Sequence, residues 1–244
     1  MASKVALVTN ATGYAGPGAV MGLIAEQMIV ACADPSFAEE NRSADFIQGR
    51  SHLFAFSETD PELLVAAVLD RLGRIDALVS NDIISEPFRP IDGSTADDFR
   101  EVLEQGVIYP FNLTQAVLPH MRERGSGSII FITSTTARYP MAQAAIYGAA
   151  RAAATGYAIA LGQAIGPDNI QVNVIGPSWM KNPTYFPDGW EALMPDFKPK
   201  LDSEVPLRRL GRPDEVGALV ALLASQKAMP LTAQYISFAA GAYP

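Results

Sequence analysis

Ser134, Tyr147 and Arg151 are the residues of this chain whose types and spacing could do chemistry. Tyr147 and Arg151 stand four apart, so a helix through them puts the phenol and the guanidinium on one face. A tyrosine hydroxyl ionises near pH ~10, and each unit of downward shift needs roughly 1.4 kcal/mol of preference for the phenolate. A neighbouring guanidinium supplies such a preference and keeps its own proton. The pair is therefore a candidate general base, with Ser134 able to hydrogen-bond the oxygen that loses its proton. By itself the spacing S-x12-Y-x3-R leaves chance and ordinary surface hydrogen bonding open.

The elements that must position these groups are legible as alternation. Short runs rich in β-branched or aromatic residues recur at 5–8, 29–33, 53–56, 77–80, 129–133, 172–175 and 235–238. Several are apolar throughout, as expected of strands covered on both faces. Between them lie helical stretches, one opening at Asp60-Pro61-Glu62 and running to Leu72, others at 95–124 and 147–165. Strand and helix in turn imply an α/β fold: a Rossmann-like, doubly wound parallel sheet of seven strands with helices on both faces. Ser134 then stands at the carboxyl end of a strand, where open α/β sheets place their ligands.

The first strand runs into Thr9-Asn10-Ala11-Thr12-Gly13-Tyr14-Ala15-Gly16-Pro17-Gly18, which opens a helix. Rossmann-type folds lay a dinucleotide pyrophosphate on such a turn, using glycine for close backbone approach and the helix N-terminus for the charge. Here the glycines are spaced G-x-x-G-x-G, Asn10 precedes them and Tyr14 stands in their midst. A phenol ring in that place takes space a nicotinamide nucleotide needs, so the sequence points to no cofactor. Ordinary turn packing is the alternative for Tyr14. Asp34, ending the second strand, is expected to cap a helix or turn and not to bind a ribose.

From 177 to 206, six prolines and the aromatics Trp179, Tyr185, Phe186, Trp190 and Phe197 break the rhythm. The segment reads as a lid over the site or as a surface subdomain that only packs. With 244 residues, 49% apolar and 18% charged, a single catalytic domain over 1–244 is expected. The net charge of −8 argues against nucleic acid and anionic membrane as partners. The single cysteine, Cys32, lies in an apolar run and reads as packing, and His52 and His120 lack any metal-ligand spacing around them. No leader or long apolar run is visible, which leaves the cytoplasm as the expected location.

The chain resembles the short-chain dehydrogenase/reductase superfamily along its whole length. Ile75-Asp76-Ala77-Leu78-Val79-Ser80-Asn81-Asp82 is similar to the strand entering that superfamily's Asn-Asn-Ala-Gly motif, Asn173-Val174-Ile175-Gly176-Pro177 to its Pro-Gly turn, and 111–121 to its interface helix. Ser134 and Tyr147 fall on its catalytic serine and tyrosine. Four departures touch cofactor contacts or the catalytic set: Asn10 and Tyr14 in the turn, Asp82 after Asn81, Gly106 in place of an asparagine, and Arg151 in place of a lysine.

This pattern resembles the halohydrin dehalogenases, a cofactor-free branch with a Ser-Tyr-Arg triad. The resemblance implies that vicinal haloalcohols close to epoxides with release of halide and a proton, and that epoxides open in reverse with azide, cyanide or nitrite. It implies a halide and substrate pocket built from Tyr14, Pro177, Ser178, Trp179 and Met180, with Asp82, Thr136, Tyr139, Ile146 and Phe186 around it. Trp179 as a core residue without ligand contact remains the alternative. Backbone N–H groups after Pro177 are the expected halide donors. The resemblance further implies a homotetramer through the helices at 95–124 and 147–165. The rivals are an NAD(P)-dependent oxidoreductase with an atypical loop and a non-catalytic scaffold of the same fold.

Overall fold

The computed structural model describes residues 3–82, 84 and 88–243. Seven strands form one parallel sheet: β1 (Val5–Thr9), β2 (Ile29–Ala33), β3 (Leu53–Phe56), β4 (Ala77–Ser80), β5 (Gly127–Ile132), β6 (Ile170–Pro177) and β7 (Gln234–Phe238), in the order β3-β2-β1-β4-β5-β6-β7. All seven strands expected from the sequence are present. Register follows the apolar runs, with Leu7 paired to Ala31 on one side and to Leu78 on the other. Chain direction across the sheet reverses between β1 and β4, and the strands' carboxyl ends open a crevice there.

Helices cover both faces. On one side α1 (Gly16–Ala25) and α9 (Pro213–Ala224) bury Ala19, Leu23, Val216 and Val220 against Ala6, Val8 and Ile130. Their backbones touch: a Cβ on Gly22 would stand 2.1 Å from the Gly217 carbonyl oxygen, so any larger residue forces the pair apart. On the other side α3 (Pro61–Leu72), α5 (Tyr109–Arg124) and α6 (Ala145–Ala164) cover Leu7, Leu78, Ile129 and Phe131. Between β2 and β3 runs α2 (Glu40–Ile47), and α4 (Ala96–Leu103), α7 (Trp190–Leu193) and α8 (Phe197–Glu204) complete the set.

Local chemistry sets these boundaries. Asp60 accepts from the N–H groups of Glu62 and Leu63 at 3.0 Å and opens α3, with Pro61 at the first position and Gly73 ending it at φ +75°. Thr95 and Asp98 form a capping box on α4. The stretch expected as one helix over 95–124 is broken by a π turn at Glu104–Ile108. Pro110 has no N–H for the carbonyl four residues back, and its ring crowds that carbonyl. The extra residue of a π turn relieves the conflict, and the Tyr109 N–H bonds the Glu104 carbonyl. Among the described residues no helix is long and apolar enough to cross a membrane.

Candidate active site

The turn after β1 is closed on itself. Every N–H from residue 11 to 16 has a partner inside the chain: Ala11 bonds the Ala33 carbonyl (3.1 Å), Gly13 that of Asn10 (3.2 Å) and Gly16 that of Gly13 (2.8 Å). Thr12 donates to Asp34 (3.1 Å), Tyr14 to the Thr184 hydroxyl (2.9 Å) and Ala15 to Asn81 Oδ1 (3.2 Å). The Asn81 amide also donates to the carbonyls of Asn10 and Gly13, both at 3.0 Å. Asp34 caps the turn, taking Thr12 Oγ1 at 2.6 Å and the Ser36 N–H at 3.0 Å. Burial alone would push its carboxyl up, but these hydrogen bonds hold it below the usual carboxylate range.

Tyr14 sits in the left-handed region at φ +46° and is 5% exposed. Its hydroxyl donates to the Thr133 carbonyl at 3.2 Å, and its ring meets Tyr185 edge-on at 5.4 Å between centroids. Burial first, then the phenol of Tyr147, push its hydroxyl pKa well up, so Tyr14 stays protonated. Thr184 and Tyr185 are placed by Asn182, whose Oδ1 accepts both their N–H groups (3.0 and 2.7 Å) and whose amide donates to the Met180 carbonyl at 2.6 Å. The segment after β6 is thereby tied across the crevice to the turn after β1.

Ser134 stands two residues past β5 and caps a short 3-10 turn, Thr135–Ala137. Its Oγ accepts the Thr136 N–H at 3.2 Å, which leaves the hydroxyl hydrogen free for the cavity. Tyr147 and Arg151 lie on the buried face of α6, 6% and 2% exposed. The guanidinium carbon stands 5.1 Å from the Tyr147 ring centroid. Arg151 donates to the Asp82 carbonyl at 3.0 Å and more weakly to that of Ile132 at 3.4 Å. These oxygens fix the fork without cancelling its charge. Burial works against that charge, and the phenols of Tyr147, Tyr14 and Tyr185 outweigh it, so the cation persists.

A cavity of roughly 120 Å³ is lined by Ser134 and Tyr147 together with Tyr14, Thr136, Pro177, Ser178, Trp179, Met180 and Phe186. The Thr136 hydroxyl is buried and has no partner among the described residues. Trp179 is held at φ +49° and packs against Trp190, Leu201 and Val205. The Ser178 N–H bonds the Phe238 carbonyl at 3.0 Å and is not available to a ligand, which corrects part of the expectation for the amides after Pro177. Among the described residues, the N–H groups of Trp179 and Met180 have no partner in the chain. Successive backbone amides in a turn that includes a left-handed residue, as Trp179 is, can form an anion-binding concavity.

Three expected pocket residues stand outside the lining. Asp82 lies behind it: its carboxylate accepts the Ser80 hydroxyl and its carbonyl holds Arg151. Burial pushes its carboxyl up despite Ser80, Thr9 and Arg151 pulling down. Tyr139 stacks one layer further out, against Tyr243 at 5.2 Å. Ile146 faces the neighbouring core of Ile84, Val102 and Ala150. Tyr185, Asn182, Met141 and Tyr243 line the cavity without having been singled out as pocket residues in the sequence. The Asn-Pro-Thr turn could have flagged Asn182 and Tyr185, whereas nothing periodic marks Met141 or Tyr243. Gly106 sits under Ile84, whose Cδ1 would be 2.6 Å from a Cβ there, so the place for a longer polar side chain is filled.

Comparison with known proteins agrees with this architecture. A family model described as Enoyl-(Acyl carrier protein) reductase matches residues 41–242. Nodulation protein G of Azospirillum brasilense is 32% identical over 99% of this chain and 98% of its own length. L-fucose dehydrogenase of Oryctolagus cuniculus is 30% identical over 92% of this chain and 80% of its own. A solved structure of halohydrin dehalogenase bound to ethyl (2S)-oxiran-2-ylacetate superimposes with a TM-score of 0.93 at 36% identity, covering 99% of this chain and 97% of that one. With a family model across most of its length and a full-length relative above 30% identity, the chain is an enzyme belonging to the short-chain dehydrogenase/reductase family.

Proposed function

We propose that the chain is a cofactor-independent halohydrin dehalogenase, converting vicinal haloalcohols to epoxides within a single catalytic domain. The observation that carries this reading is the closed first turn. A family member that moves hydride needs free amides for a diphosphate and open space beside them. Here the amides of residues 11–16 all have internal partners, the Asp34 oxygens are taken by Thr12 and Ser36, and the Tyr14 ring reaches from the turn to the Thr133 carbonyl and Tyr185. A dinucleotide does not fit these residues. The groups that handle a substrate hydroxyl nevertheless remain around a cavity.

The geometry suits an internal displacement. The substrate hydroxyl lies between Ser134, which donates to its oxygen, and Tyr147, which takes its proton beside the fixed charge of Arg151. As the O–H bond breaks, the oxygen closes on the adjacent carbon and the carbon–halogen bond gives its electron pair to the departing halide. No hydride moves. Tethering gives the nucleophile a high effective concentration, so the protein's part is alignment and charge stabilisation. The halide leaves toward the amides of Trp179 and Met180, with Tyr14 and Pro177 as wall. Run backwards, a small anion at that place opens the epoxide and Tyr147 returns the proton. A cavity of roughly 120 Å³ suits three to four heavy carbons and a halogen, being a little smaller than the ~150 Å³ that admits benzene.

The reductase and dehydrogenase names among the relatives favour a second reading, a nicotinamide enzyme with an unusual loop. The closed turn opposes it. Titration with NADH and NADPH followed by fluorescence separates the two: the dehalogenase reading expects no saturation below millimolar, and micromolar binding overturns it. The same reading includes a homotetramer through α4–α5 and α6, supported by the exposed Phe99, Ile108 and Phe111, and a lid role for 177–206.

A further inference from the structure

Tyr243 closes the cavity from a direction the mechanism does not use. After β7 the chain turns through Gly241 at φ +88°, the Ala242 N–H bonding the Ala239 carbonyl at 2.9 Å. The left-handed glycine turns the chain so that Tyr243, two residues on, comes back over the carboxyl end of the sheet. Its carbonyl takes the Ser237 hydroxyl, and its ring leans on Tyr139 at 5.2 Å and 32°. On the remaining side it packs beside the Trp179, Trp190 and Val205 cluster. Tyr243 is among the residues lining the chamber that holds Ser134 and Tyr147. It also lines a second, wider pocket of about 380 Å³ between Leu207, Arg209 and Gly241.

One aromatic residue therefore borders both spaces. We propose that Tyr243 is the specificity-determining wall of the catalytic cavity, limiting the substrate chain to what the smaller chamber holds. The inference rests on the dehalogenase reading for the identity of the substrate but on geometry alone for the wall. Removing the ring joins the two spaces and lets an alkyl tail run into the second pocket. Each methylene buried there is expected to raise kcat/KM by about fourfold, the factor that follows from burying one CH₂ at ~0.8 kcal/mol.

The test compares wild type, Tyr243→Ala and Tyr243→Phe on two series. In the first, halide release is followed with 1-chloro-2-alkanols from propanol to octanol. In the second, the halogen-free 2-alkanols of the same lengths are bound and read by calorimetric titration or by the change in combined Trp179 and Trp190 emission, both rings lying in one cluster. Wild type and Tyr243→Phe should favour the short members in both series, and Tyr243→Ala should shift preference to the long ones. An unchanged length preference for Tyr243→Ala in alcohol binding overturns the wall. A shift in alcohol binding with no halide release by any form leaves the wall standing and overturns the dehalogenase reading.

Discussion

Replacing Tyr14 by glycine and by alanine tests the closed turn in two independent ways. The ring is 5% exposed, and removing a buried aromatic costs ~3–5 kcal/mol. Loss of the bond from its hydroxyl to the Thr133 carbonyl, at 3.2 Å, adds ~1 kcal/mol. The backbone at φ +46° works the other way, because relief of a left-handed non-glycine residue returns ~1–2 kcal/mol. Tyr14→Gly is then expected to lose roughly 3–4 kcal/mol, and Tyr14→Ala, which keeps the Cβ, about 1 kcal/mol more. At ~2–4 °C per kcal/mol for a chain of this size, glycine should lower Tm by about 10 °C and alanine by a further ~3 °C. The smaller side chain should thus be the better tolerated one, which inverts ordinary helix and strand preferences. Differential scanning calorimetry reads the order directly. Because Thr12, Tyr14 and Ala15 amides stay bonded to Asp34, Thr184 and Asn81, neither variant should gain micromolar NADH affinity by calorimetric titration. Alanine melting above glycine would refute the backbone argument. Micromolar NADH binding by Tyr14→Gly would show that the ring alone, and not the wiring of the amides, excludes the nucleotide.

Arg151→Lys should lower kcat for halide release by about 10- to 100-fold, since one charged hydrogen bond of ~1.5–3 kcal/mol to the Asp82 carbonyl is lost and an ammonium cannot span two carbonyls. Steady-state halide release with a thermal melt alongside checks it, and an unchanged kcat would contradict the assignment. Asp76 ties the start of β1 to α5: it accepts from the Val5 N–H at 2.8 Å and pairs with Arg74 at 2.7 Å and Arg124 at 3.1 Å. Burial pushes its carboxyl up, but Arg74 and the Val5 amide outweigh it, so its pKa lies below the ordinary range near ~4. A depressed folded pKa means the stabilisation is complete above that range and is lost as pH falls through it and down to the folded value. Urea midpoints should therefore fall more steeply below pH ~4 for wild type than for Asp76→Asn. Parallel curves would exclude Asp76 as a contributor.

Much of this arrangement is written in local patterns. Strand identity came from short β-branched runs, and the placement of Ser134, Tyr147 and Arg151 from a strand end and a helical spacing of four. Asp34 as a turn cap followed from its type and position. Apart from Ile146 on α6, the remainder depends on side-chain directions in irregular segments, where neither a 3.6 nor a 2.0 period operates. Asp82, one residue past Asn81, turns behind Arg151 instead of into the cavity. Tyr139 lies a layer out because Tyr243 comes between, and Ile146 follows the next face of α6 into another core. The π turn at Glu104–Ile108 arises from a conflict between Pro110 and a carbonyl one turn earlier, visible in the sequence only as a proline inside an expected helix.

The central claim is that Tyr147 deprotonates a haloalcohol in a site that uses no nicotinamide. The most direct measurement is halide and epoxide formation from 1,3-dichloro-2-propanol with no nucleotide added, by wild type and by Tyr147→Phe. The account predicts equal amounts of halide, proton and epoxide from wild type, and a loss of about 10²–10⁴-fold in Tyr147→Phe with its melting temperature kept near wild type. Absence of halide release by wild type, its dependence on added NAD(P)H, or full activity in Tyr147→Phe would contradict it.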